Sequence, residues 1–241
     1  MLQRTRKAII LVSLLLFPVT LNYFSPYVSF DGAMNGLVSG SLILFGMLFL
    51  SGMFLGRAWC GWACPMAGLS EYALSVNGKS VNTGRLRKIR FVIFTVWFGG
   101  IIAMFVLAGG IKGIAPLHMT ENVISVDEPV KYIVYFMVLL LFTGLTFALG
   151  KRGACHSICW MSPFLEGGYR LGRWLRLPQL RILSEPKSCI SCGACDRKCQ
   201  MDIDVSIGLK TGSIEDPDCI LCGECTGACK KDVLRFGTRK I

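Results

Sequence analysis

The sequence predicts an α-helical integral membrane four-helix bundle that carries a small C-terminal α+β domain. Three observations predict it. Four long apolar stretches lie in the first 150 residues, nearly all Lys and Arg fall on one side of those stretches, and eight of the twelve cysteines make one spacing pattern used twice near the C-terminus. A mean hydropathy of +0.54 with 53% hydrophobic residues is too apolar for an ordinary soluble domain.

The apolar stretches run Ala8–Phe24, Gly36–Leu55, Phe91–Gly110 and Tyr132–Gly150, and none contains a charged residue. Each is close to the roughly 20 residues a helix needs to cross a bilayer. The first holds Pro18 and the second Gly40 and Gly46, residues commoner in membrane helices than in soluble ones. Arg4, Arg6 and Lys7 before the first stretch resemble a signal peptide, but Asn22-Tyr23-Phe24-Ser25-Pro26 supplies no small-residue cleavage site, so it reads as a retained anchor. With the N-terminus inside, the two outer loops hold only Lys112 and Lys131 of the 26 basic residues. That asymmetry places both termini on the cytoplasmic side of the inner membrane, with four spans. It also accounts for the net charge of +11 without nucleic acid. Residues 184–241 carry nine basic and nine acidic residues, unlike a nucleic-acid binder. The expected domains are 1–164 in the membrane, a basic interfacial linker at 165–183, and the C-terminal domain at 184–241. In the linker, Arg170, Arg173, Arg176 and Arg181 alternate with apolar residues around Trp174, a pattern suited to an anionic membrane surface.

Cys189, Cys192, Cys195 and Cys199 have the spacing C-x2-C-x2-C-x3-C, and Cys219, Cys222, Cys225 and Cys229 repeat it 30 residues later, with Gly193 and Gly223 in register. This is the run of bacterial-type ferredoxins with two [4Fe–4S] clusters, in which the fourth cysteine of each run serves the other cluster. One cluster is therefore expected on Cys189, Cys192, Cys195 and Cys229, and the other on Cys219, Cys222, Cys225 and Cys199. Disulfides are disfavoured in a reducing compartment, and zinc sites use paired hooks without this third and fourth cysteine. The Pro that usually follows the fourth cysteine is replaced by Gln200 and Lys230, a departure that bears on loop geometry and potential.

The other four cysteines form two C-x3-C pairs, Cys60/Cys64 and Cys155/Cys159, each following a pair of apolar stretches. Residues four apart share a helical face, so the four thiols are expected to converge at the inner end of the bundle. Such a set suits a third Fe–S cluster, zinc or copper; the alternative is cysteines that pack against Trp59, Trp62 and Trp160. His118, in the outer loop close to Glu121, is a candidate proton acceptor for a quinol oxidised at that face, although a loop histidine is ordinarily just solvated. His156 lies inside the second pair. There is no C-x-x-C-H, which excludes covalent c-type haem, and two histidines leave little for haem b.

Taken together, four spans, the segment Arg57-Ala58-Trp59-Cys60-Gly61-Trp62-Ala63-Cys64-Pro65, a second C-x3-C after the fourth span and the double ferredoxin motif resemble the NapH/MauN type of membrane ferredoxin over essentially the whole chain. Family members keep Pro after each C-x3-C; Pro65 fits and Trp160 departs. CcoG-type proteins and the C-terminal part of NosR share these modules. The resemblance implies a membrane component of a quinol dehydrogenase, an oxidoreductase subunit linking the quinone pool to a partner redox protein. Two other readings stand beside it. One is a copper-reducing protein with the metal on Cys60, Cys64, Cys155 and Cys159, and the other is an anchor and relay within a larger redox complex.

Overall fold

The computed structural model describes residues 2–74, 76–120 and 124–239. Helix α1 (Leu2–Leu15) stops where Pro18 removes a backbone donor, and the chain resumes as α2 (Phe17–Thr20) and a 3-10 turn (Leu21–Phe24) bent by 58° from α1. Helix α3 (Pro26–Met34) starts with Pro at its first turn and the Ser25 hydroxyl accepting the Val28 N–H. The second apolar stretch, expected to be helical from Gly36, begins instead as strand β1 (Leu37–Ser39), and helix α4 runs only over Gly40–Leu55. Tertiary pairing overrides the local pattern here, because β1 lies parallel to β2 (Gly113–Ala115) across the outer loop.

Short helix α5 (Ala58–Trp62) and α6 (Pro65–Leu74) follow α4. Helix α7 (Thr83–Leu107) starts eight residues before the expected apolar span, capped by the Asn82 side chain on the Arg85 N–H. Helix α8 (Pro129–Leu149) is followed by α9 (Gly153–Ser157) and α10 (Met161–Trp174). Helices α7 and α8, with 25 and 21 residues and mean hydropathies of 2.1 and 2.2 over an 18-residue stretch of each, are long and apolar enough to cross a membrane. Their lengths of about 37 and about 31 Å cover a hydrocarbon core of about 30 Å. The bent α1–α2 pair passes the same test only as one broken span, and α4, at 16 residues, is shorter.

The stretch expected to be an interfacial linker is not one. Its first part completes α10, whose Gly168 and Gly172 lie so close to α4 that an added Cβ would meet the carbonyls of Phe49 and Met53 at 2.0 and 2.3 Å. Its last part is strand β3 (Gln179–Ser184), which pairs antiparallel with the final strand β4 (Leu234–Arg239). Arg181, expected at the membrane surface, is buried; Arg173, Trp174 and Arg176 remain exposed.

Between β3 and β4 lie α11 (Ala194–Lys198), α12 (Val205–Thr211) and α13 (Glu224–Ala228). The 30-residue repeat is written into the backbone, with positive φ at Ser191 and Leu221 (54° and 52°), Gly193 and Gly223 (66° and 74°), and Asp202 and Asp232 (52° and 51°). Two apolar cores result, one among helices α1 to α10 and one in this head, and Cys60 packs against both.

Candidate metal centres

The three cysteine sets fold in different ways. In the head, each tight loop presents two cysteines, the five-residue helix that follows carries the third in its first turn, and the fourth caps that helix's end. Cys189, Cys192, Cys195 and Cys229 line one open cavity of about 620 Å³. Cys199, Cys219, Cys222 and Cys225 line a second, small one, walled by Ile182, Met201, Ile203 and Val205. The surroundings differ sharply. Cys192 is exposed, whereas Cys222 and Cys225 are buried. Burial pushes the Cys219 thiol up to about 12, although the Leu221 N–H points at it, and Cys199 up to about 11. Four cysteines around each cavity are the donor set an Fe–S group requires.

The C-x3-C pairs do not sit on single helices as expected. Helices α5 and α9 each carry the first cysteine of a pair and end before the second, which lies at the turn into α6 or α10. Pro65 disfavours helical backbone at Cys64, and α9 closes with the Ile158 N–H on the Ala154 carbonyl. A structural repeat nevertheless survives: long helix, glycine with positive φ (Gly56, 55°; Gly150, 104°), short helix, turn, helix. All four cysteines line one small cavity with Arg57, Arg152, Met66, Met161 and Met201. Burial raises Cys64 strongly and Cys159 to about 12.

Sequence reasoning missed the two guanidiniums. Arg57 and Arg152 are 2% and 1% exposed, and the Nε of each is buried without a hydrogen-bond partner. The signal was available, since each arginine stands three residues before the first cysteine of its pair. They tie the membrane half to the head. Arg57 Nη1 lies 2.5 Å from Asp218 Oδ1, and Arg152 donates to the Cys60 carbonyl (3.3 Å) and to Gln200 Oε1 (2.6 Å). Arg90 bridges Glu166 (2.8 Å) and Asp218 (3.0 Å). Burial opposes ionisation of Asp218, but Arg57 and Arg90 hold its carboxyl down at about 2. On the other flank Arg6 clamps Glu71 and Glu224 at 2.6 and 3.0 Å.

Met201 and Ile220 line both the C-x3-C cavity and the buried head cavity, so a single layer of side chains separates them. The approach depends on Gly61, where an added Cβ would meet the Ile220 carbonyl at 2.2 Å. Trp62 Nε1 donates to the Leu221 carbonyl (2.8 Å) and Gln3 Nε2 to that of Cys222 (2.9 Å). On the membrane side, an apolar cavity of about 470 Å³ shares Cys159, Met66, Met161 and Phe142 with the thiol quartet and reaches Asn22, Ser125 and Lys131 at its far end.

His118 lies at that far side, but its partner is Asp31, with Nε2 2.7 Å from Oδ2; Glu121 lies outside the described residues. His156 is buried with Nε2 3.1 Å from the Met201 carbonyl, and burial pushes its pKa down to about 4, so it is neutral at pH 7.

Comparison with known proteins gives matches to a 4Fe-4S binding domain over residues 38–81 and a 4Fe-4S dicluster domain over residues 188–234. The first contains Cys60 and Cys64, the second all eight head cysteines. The methylamine utilization ferredoxin-type protein MauN of Methylobacillus flagellatus is 24% identical over 72% of this chain and 60% of its own length. The protein of the same name from Methylorubrum extorquens is 27% identical over 78% of this chain and 64% of its own. An uncharacterised protein of Methanocaldococcus jannaschii is 23% identical over 64% of this chain and 63% of its own. The chain thus spans less than two thirds of the length of these relatives. No solved structure matches it. With two 4Fe-4S domains and this similarity, the chain is a ferredoxin-type iron–sulfur protein that resembles the proteins named MauN.

Proposed function

We propose that the chain is the membrane component of a quinol dehydrogenase, carrying electrons between the quinone pool and a partner redox protein. One observation carries this reading: the apolar cavity, the cavity of Cys60, Cys64, Cys155 and Cys159 and that of the inner head quartet share lining residues each with the next, and the outer head quartet packs on the same head core as the inner one. Iron–sulfur groups, when bound, supply one-electron steps, and the protein supplies position and surroundings. In this reading Cys219, Cys222, Cys225 and Cys199 hold the inner head cluster, and Cys189, Cys192, Cys195 and Cys229 the outer one.

A third cluster on the C-x3-C quartet is supported by the two buried arginines. Four thiolates around iron carry net negative charge, and guanidinium N–H groups buried without a partner beside a small cavity favour such an occupant. The arginines hold the site's charge balance, and the methionines and Phe142 exclude water. The apolar cavity suits a quinone ring entering from the bilayer, with Asn22 and Ser125 as polar contacts at its far end and His118, braced by Asp31, as proton acceptor. The membrane bundle then has four spans, α1–α2 and α4 included, in an inner membrane with both termini and the head on the cytoplasmic side, where most Lys and Arg lie.

Iron and acid-labile sulfide in anaerobically purified protein, with EPR of the reduced state, test this. About twelve irons per chain, four per cubane, is the expected result. About eight would confine the clusters to the head and remove the station beside the bilayer. Copper on the quartet is the second reading, favoured by the thioethers of Met66, Met161 and Met201 around the four thiols. Copper that stays with the protein and leaves in Cys60→Ser/Cys64→Ser would establish it. Quinol that fails to reduce any cluster would sink the dehydrogenase reading and leave an anchor and relay.

A further inference from the structure

The head is formally neutral, yet its charges are sorted. Four of its acids are drawn toward the membrane half: Glu224 to Arg6 (3.0 Å), Asp202 to Lys151 (2.8 Å), Asp218 to Arg57 and Arg90 (2.5 and 3.0 Å), and Glu215 to Arg173 (2.8 Å). The cavity of the outer cysteine quartet, by contrast, is lined by four basic residues and one acid, with Asp232 exposed beside it. Arg197, Lys210, Lys230 and Lys231 line the open cavity there, are exposed, and engage no acid in an ion pair among the described residues. The carboxylate lining the same cavity, Asp196, accepts the Ser206 N–H at 2.9 Å and is half-buried. Inside this collar lie Cys192, which is exposed, and two isoleucines, Ile190 and Ile207, each 62% exposed.

We propose that this face is the docking surface for an acidic, soluble one-electron carrier protein. An apolar centre with a charged rim is the anatomy of a transient interface, and the rim sets partner and association rate more than affinity. The acceptor's surface carboxylates meet the lysine collar, its own apolar patch covers Ile190 and Ile207, and one electron passes between the outer quartet's cluster and the carrier's redox group. Anionic lipid is the other polyanion such a collar attracts. The sorting of charge argues against it, since four acids pair with residues of the helical half while no residue before Pro186 lines the cavity that carries the collar.

The proposal rests on the iron–sulfur reading of the head but not on the quinone reading, because dithionite reduces the clusters directly. The test is stopped-flow oxidation of the dithionite-reduced, nanodisc-held protein by an acidic flavodoxin and, separately, by basic cytochrome c. The second-order rate with flavodoxin is expected to fall about tenfold between about 50 and about 300 mM salt. It should fall about tenfold at low salt in Lys210→Glu/Lys231→Glu, with iron content unchanged, while the cytochrome c rate rises. If that variant loses iron, Arg197→Gln/Lys210→Gln takes its place, with a smaller loss in the same direction. Flavodoxin rates that ignore both salt and collar charge would overturn the proposal. So would capture of anionic phospholipid vesicles by the nanodisc-held protein that the charge reversal abolishes. Protein purified without iron in the head would instead remove the iron–sulfur reading itself.

Discussion

The two cysteine runs of the head share spacing, backbone and the sign of φ at three matched positions, yet they end in opposite surroundings. The loop of Cys219 to Cys225 is pressed against α5 and α1, its carbonyls taken by Trp62 and Gln3, while the loop of Cys189 to Cys195 faces solvent. Duplication produces the same local structure twice, and docking against the membrane half makes one copy an interior station and the other a terminus. Since an Fe–S group's potential depends on burial, net charge and N–H contacts, identical ligands here imply different potentials.

The comparison is broken most severely by removing a ligand from each copy. Cys222→Ala and Cys192→Ala should each lose about four irons and abolish quinol-driven reduction of the carrier. Only Cys222→Ala should also loosen the seam, read as faster proteolytic release of the head. Equal proteolysis in the two variants would mean that the copies are not distinguished by docking. Next in size is Arg57→Gln, which takes from Asp218 a buried partner at 2.5 Å. It should cost on the order of 3 kcal/mol in thermal unfolding, whereas Arg197→Gln at the exposed copy should cost almost nothing.

Glycines sharpen the contrast further. Gly61→Ala places a Cβ 2.2 Å from the Ile220 carbonyl and should cost about 1–3 kcal/mol. Gly227→Ala in α13, with nothing within 4 Å of its Cβ, should be neutral or stabilise by up to about 1 kcal/mol. A smaller effect concerns pH. Burial raises the Glu71 carboxyl, but the hydrogen bond and charge of Arg6 and the charge of Arg152 outweigh it, so its folded pKa lies below 4.5. Its contribution is therefore complete above the unfolded value of 4.5 and is lost as pH falls through the lower, folded one. Trp62 fluorescence, reporting the seam, should shift on acidification in the native protein and shift at a higher pH in Arg6→Gln; a pH response that Arg6→Gln leaves unmoved would separate Glu71 from the seam.

Much of the candidate site was legible because chemistry fixes spacing. Three ligands of a small inorganic core must come from one tight loop, so eight head cysteines declare themselves, and the positive-φ glycines at 193 and 223 follow from the same loop. The apolar stretches declare themselves because a bilayer demands length and hydropathy, and α7 and α8 lie where hydropathy put them. Periodicity misled at the C-x3-C pairs, where the turn before Pro65 intervenes in a supposed single helix, and at 165–183, where alternating arginines suggested a membrane surface.

What the sequence by itself determined is the inventory: apolar helices, a duplicated thiolate loop, two further cysteine pairs, and arginines outside the apolar stretches. Only the tertiary structure decided what each is next to. It joined residues 60, 64, 155 and 159 around one cavity, set Arg57 against Asp218 across 161 positions of chain, buried Arg181 in a strand of the head, and paired four of the head's acids with basic residues that precede it. The reason is physical. Spacing encodes contacts within one turn or loop, whereas the pairing of buried charges depends on which distant surfaces exclude water together, and no short motif records that.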